Sequence, residues 1–115
     1  MILLLALASP SFAAEILVYG PLDYTEAAIL TADGHTVTEW DASVWASAVQ
    51  SDFEAFDAIV IGDKSCSGPS STDFETLYTP RATWSAAVTG NIVVTQTDAG
   101  CHSSSTGAEP FIEAA

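Results

Sequence analysis

The sequence predicts an α/β fold, an open parallel sheet with helices on both faces. Two stretches carry that reading, FDAIVIGD (Phe56 to Asp63) and GNIVVTQTD (Gly90 to Asp98), together with the helical spans that alternate with them. Each is a short apolar run, rich in β-branched residues and bounded by turn formers, as a parallel strand covered on both faces is. Crossovers of helical length between such strands require parallel pairing, because right-handed connections are nearly obligatory.

In chain order, EILVYG (Glu15 to Gly20) reads as the first buried strand, stopped by Pro21. A helix from Asp23 to Ala32 follows, with Ala27, Ala28 and Leu30 on its inner face. Asp33-Gly34 ends it with a left-handed cap, and HTVTEWD (His35 to Asp41) alternates as a half-exposed edge strand does. His35 is expected at the plain surface. Ser43 is the expected N-cap of a short helix carrying Val44, Trp45, Ala48 and Val49, and Ser51-Asp52-Phe53 a short turn into the third strand. The loop KSCSGPSST is too rich in Ser, Gly and Pro for regular structure. A helix starting at Thr72 or Asp73 runs through Leu77, Pro80 interrupts it, and a segment containing Trp84 and Val88 ends at Thr89-Gly90. After the fourth strand come a polar loop and PFIEAA, the opening of another helix. By analogy with flavodoxin-like sheets the strand order is 2-1-3-4. That order leaves Ile92-Val93-Val94 on an edge without charges or prolines, so a fifth strand is expected beyond this segment or from another copy, by self-association through the strand-four edge.

Composition bounds the function more firmly than any motif. The 115 residues suffice for one domain with a core, and 49% of them are hydrophobic. The formal charge of −13 arises from only two Lys and Arg against 15 Asp and Glu. A chain with Lys64 and Arg81 as its only fixed cations has no basic patch, so neither nucleic acid nor an anionic membrane is an expected partner. A small molecule, a sugar or a protein remains open. The opening MILLLALASPSFA reads as a signal peptide over residues 1-13, with an apolar core, Pro10 and a small-residue cut site. The domain then spans residues 14-115, and the expected location is secreted, extracellular or periplasmic. In an oxidising compartment the two cysteines, Cys66 and Cys101, are expected to form a disulfide, closing a loop of about 35 residues and contributing roughly 3.8 kcal/mol.

Taken together, EILVYG, HTVTEWD, FDAIVIGD with its small-residue loop, and GNIVVTQTD resemble the N-terminal part of the class I glutamine amidotransferase-like fold. This is the flavodoxin-like superfamily that also holds the ThuA-like and DJ-1-like proteins, and the similarity covers roughly Glu15 to Ala115. Catalytic members carry a cysteine on a strand-to-helix elbow. Here Thr95-Gln96-Thr97-Asp98 fills that place, no G-x-C-x-G occurs, and Cys101 comes several residues later. The resemblance therefore implies a non-catalytic secreted relative, one module of a larger extracellular protein.

Ligands of such sheets sit beyond the carboxyl ends of the strands. The rim expected to bind is made of Asp23, Asp63, Asp98 and His102, near Cys66 and Cys101. No catalytic residue, resident metal or cofactor is assigned. Two alternatives stand beside the binding or structural module. One is a thiol-dependent hydrolase using Cys101 with His102 as its base, since a nearby imidazole lowers a thiol's pKa. The other is a calcium-stabilised domain, because carboxylates converging from strand ends suit a hard cation. Trp40, Trp45 and Trp84 are read chiefly as core, with sugar stacking the lesser reading.

Overall fold

The computed structural model describes residues 12–64, 71–89 and 91–94. Three parallel strands, β1 (Glu15–Tyr19), β2 (Thr36–Trp40) and β3 (Ala58–Ile61), form an open sheet in the order β2-β1-β3. Asn91–Val94 is a further extended segment. Because β1 pairs on both sides, with Leu17 opposite both Thr38 and Ile59, its residues from Ile16 to Tyr19 are all buried. Alternation then sends Ile16 and Val18 to one face and Leu17 and Tyr19 to the other.

One face is covered by α1 (Glu26–Ala32), whose Ala27 and Leu30 pack on Ile16, Val18 and Val60. The opposite face carries α2 (Ala42–Ser47), α3 (Gln50–Phe53), α4 (Ser71–Tyr78) and α5 (Arg81–Ala87). There Trp45, Phe53, Leu77 and Trp84 meet Leu17, Tyr19, Ile59 and Ile61. The Trp45 ring stands edge-on to Tyr19 and Phe53, with centroids 4.9 and 5.0 Å away. Both buried indoles are satisfied by one acceptor: Trp84 Nε1 donates to the Leu77 carbonyl at 3.0 Å, and Trp45 Nε1 reaches the same oxygen at 3.4 Å. Trp45 and Trp84 are thus core residues, and only Trp40 keeps an accessible edge beside that core.

Local chemistry differs from the sequence reading at four points. The first helix starts at Glu26 rather than Asp23, because Gly20–Leu22 forms a 3-10 turn closed by Asp23 N–H donating to the Gly20 carbonyl (3.1 Å). Asp41, not Ser43, caps α2: its Oδ1 accepts from Ser43 N (2.8 Å), Val44 N (2.9 Å) and the Ser43 hydroxyl (2.7 Å). Those bonds, led by the Val44 N–H, hold the Asp41 carboxyl below its ordinary value. The expected turn at Ser51-Asp52-Phe53 is the one-turn helix α3, at whose start Asp52 accepts from Val49 N–H (2.9 Å). His35 is more than surface. Gly34 at φ 96 turns the chain out of α1 so that His35 Nδ1 accepts from Ala14 N–H (3.1 Å), tying the entry of β1 to the start of β2.

Candidate functional site

Along the edge strand β2 an open groove of about 340 Å³ runs between α1 and the sheet, from Asp23 and Glu39 near the C-terminal ends of the strands past Ala27 and Ala28 to Thr31 and Val37 near their N-terminal ends. Both acids are put there by backbone geometry. The 3-10 turn after β1 delivers Asp23 to the foot of α1, where its Oδ1 accepts from Ala27 N–H (2.9 Å). The register pairs Val18 with Glu39, so Glu39 shares the α1 face of the sheet with Val18. Thr31 turns its hydroxyl back onto the Ala27 carbonyl (2.7 Å), which leaves the two carboxylates as the charged groups of the groove.

Behind Asp23 lies Glu26, fully buried. Its Oε2 accepts from Tyr24 N–H (2.9 Å) and Thr25 N–H (3.1 Å), while Oε1 has no hydrogen-bond partner among the described residues. Its position depends on a glycine. A Cβ on Gly62, just past β3, would stand 2.6 Å from Glu26 Oε1 and 2.9 Å from the Leu22 carbonyl, so only a residue without a side chain admits the carboxyl here. Burial first, then repulsion from the Glu26 and Glu39 carboxylates, push Asp23 up to about 6 against the opposing pull of the Ala27 N–H.

Of the residues expected at the rim, Asp23 lines the groove and Asp63, buried, directly follows Gly62. These two are brought to the same end of the sheet. Asp98, His102, Cys66 and Cys101 lie outside the described residues. Among the described residues no group of three or more His, Cys, Asp or Glu is placed to hold a metal ion, and no helix is long and apolar enough to cross a membrane.

Sequence reasoning passed over Glu26 and Glu39. Glu39 is the polar member of an alternating strand, which reads as solvent-facing, and Glu26 looks like an ordinary acid in a first helical turn. One signal for Glu26 was present, the glycine that closes FDAIVIGD, since a glycine at a strand end marks close approach by another group. A second open groove, about 430 Å³, lies on the opposite face beside Trp40, Val44 and Phe56. Comparison with protein-family models, with curated proteins and with solved structures returned no match.

Proposed function

We propose that this chain is a secreted, catalytically silent α/β binding module that receives a lysine-like alkylammonium group of its partner between α1 and β2. The observation that carries the reading is the pair Asp23 and Glu39, two carboxylates on one groove otherwise lined largely by Ala27, Ala28 and Val37. An ammonium group between carboxylates gains charge-assisted hydrogen bonds. The methylene stem behind it covers apolar surface of the size these small side chains offer. A formal charge of −13 with only two fixed cations further favours the approach of a basic partner.

The same proposal takes the domain as flavodoxin-like and four-stranded, in the order 2-1-3-4, with Asn91–Val94 as β4. The parallel register of Ala58 with Asn91 through Ile61 with Val94 supports that extension. Secretion and the Cys66 to Cys101 bridge belong to the proposal too, supported by the apolar leader and the even cysteine count.

Titration with Nα-acetyl-lysine methylamide, followed through backbone amide resonances at about 0.15 M salt to screen diffuse attraction, tests the binding. Saturable shifts at Ala27, Ala28, Val37 and Glu39 are expected, weakened about tenfold in Glu39→Gln by loss of one charged partner. Unsaturable or scattered shifts would remove the reading.

A further inference from the structure

We infer that the partner offers its lysine from an extended segment that adds to the open edge of β2 as a further strand. The lysine is that of the alkylammonium reading, on which this choice of partner rests, while the strand pairing stands on the backbone of β2 alone. Among the described residues β2 pairs with β1 and with no other strand. Thr36 N–H donates to the Ala14 carbonyl (3.0 Å), so Thr36 turns its peptide groups toward β1. Successive residues of a strand turn these groups to opposite sides. Thr38 and Trp40 therefore follow Thr36, and Val37 and Glu39 present their N–H and C=O groups to the open side. β1 obeys the same alternation, since the Glu15 carbonyl accepts from Asp57 N–H (2.8 Å) on the β3 side. At the open edge of β2 the peptide groups of Val37 and Glu39 have no backbone partner among the described residues, and an added strand supplies one to each.

The side chains of the same two residues select what adds. Val37 stands opposite Ile16 and Glu39 opposite Val18, which puts both on the α1 face and on the groove that also holds Asp23. A strand added about 4.8 Å from β2 lays every second side chain into that groove. The residue opposite Glu39 has its Cβ about 5 Å away, and a lysine there pairs with the Glu39 carboxylate while its stem reaches along the groove toward Asp23. Two positions on, the residue opposite Val37 meets an apolar, β-branched neighbour, which suits valine or isoleucine. The partner is thus an extended segment with a lysine and, at the second position from it, a β-branched residue. A second copy of this chain does not answer that description. Its fixed cations, Lys64 and Arg81, lie after β3 and at the start of α5, and two β2 edges would set Glu39 against an equally acidic strand of a molecule with formal charge −13.

The probe is the peptide acetyl-Thr-Val-Thr-Lys-Thr-Val-Thr-amide, whose residues read the same in either direction and so fit parallel or antiparallel addition. At about 0.15 M salt it should bind at least about tenfold more tightly than Nα-acetyl-lysine methylamide, through backbone bonds that the single residue lacks. Within β2 the amide hydrogens of Val37 and Glu39 should become protected from exchange with solvent, while those of Thr38 and Trp40, already turned to β1, stay as they were. Only one edge of the peptide meets β2. N-methylation of its lysine and valines, or of its threonines instead, should therefore weaken binding at least about tenfold in one case and leave it nearly level in the other. Equal weakening by both, weakening by neither, or no protection of Val37 and Glu39 would overturn strand addition, and the titration with the lysine compound would still decide the alkylammonium reading. A norleucine version that binds as well as the lysine peptide, with the same protection, would overturn the lysine and the alkylammonium reading and leave strand addition in place. Protection of Val37 and Glu39 that appears on concentrating the chain alone would give the edge to a second copy and overturn the proposed partner.

Discussion

The two faces of the sheet are packed in opposite styles. On one, Trp45, Tyr19, Phe53 and Trp84 fill the space between sheet and helices with large rings, and the buried indole N–H groups find an acceptor in Leu77. On the other, α1 lays mainly Ala27 and Leu30 on Ile16, Val18 and Val60. Small side chains leave a groove there, while each face buries one polar atom without a hydrogen-bond partner among the described residues, Glu26 Oε1 on this side and the Tyr19 hydroxyl among the rings. Rings that interlock at close-packed density give stability. The thin face carries two carboxylates on an open groove, and the proposed binding rests on them. One short strand, β1, supplies both faces by simple alternation.

The largest effect that could break this comparison is expected on the aromatic face. Trp45→Ala should cost about 3 to 5 kcal/mol in urea unfolding, because it empties the centre of the ring cluster, and Leu30→Ala on the α1 face about 2 to 3 kcal/mol. A reversal of that order would mean that the thin face holds the fold.

Next comes Gly62→Ala, whose new methyl must displace the Glu26 carboxyl or the Leu22 carbonyl. We expect a loss of about 1 to 3 kcal/mol, the usual range for overpacking. Combining it with Glu26→Ala should cost less than the sum of the two single changes, since they remove the same clash. Strict additivity in the double-mutant cycle would separate Gly62 from Glu26.

The smallest effect is the one that depends on pH. Asp23 is raised in the folded chain above its unfolded value, so the native state binds the proton more tightly. Its contribution is fully present below the unfolded pKa and is lost as pH rises through about 6. Asp23→Asn should therefore flatten the fall in melting temperature between about pH 4 and pH 6 and leave the chain slightly more stable at pH 7. Because Asp23 is only half-buried, the gain is put at about 1 kcal/mol after allowance for solvent screening. An unchanged slope would place the titration elsewhere.

The strand cores, the helix break at Pro80 and the edge position of β2 were legible because apolar periodicity and turn residues act within a few neighbours. Asp23 and Asp63 were legible as rim residues for a related reason: parallel strands end on one side of the sheet. Glu26 and Glu39 were not. Their meaning depends on which face of β2 meets α1 and on what Gly62 leaves room for, and both are set by pairings between residues far apart in the chain. His35 was misread likewise, since its partner Ala14 is brought to it only by the β1 and β2 pairing. Asp41 displaced Ser43 as the cap of α2 by a purely local margin, a carboxylate reaching two free N–H groups from the position before the helix.

The central claim is that the thin face binds through charge and the aromatic face does not bind. Parallel amide-resonance titrations with Nα-acetyl-lysine methylamide and its uncharged norleucine counterpart test it most directly. The account predicts saturable shifts around Asp23, Ala28 and Glu39 with the lysine compound and at least about tenfold weaker binding of norleucine, as loss of a charged hydrogen bond requires. Equal affinity for the two compounds, or shifts confined to Trp40, Val44 and Phe56 on the other face, would contradict it.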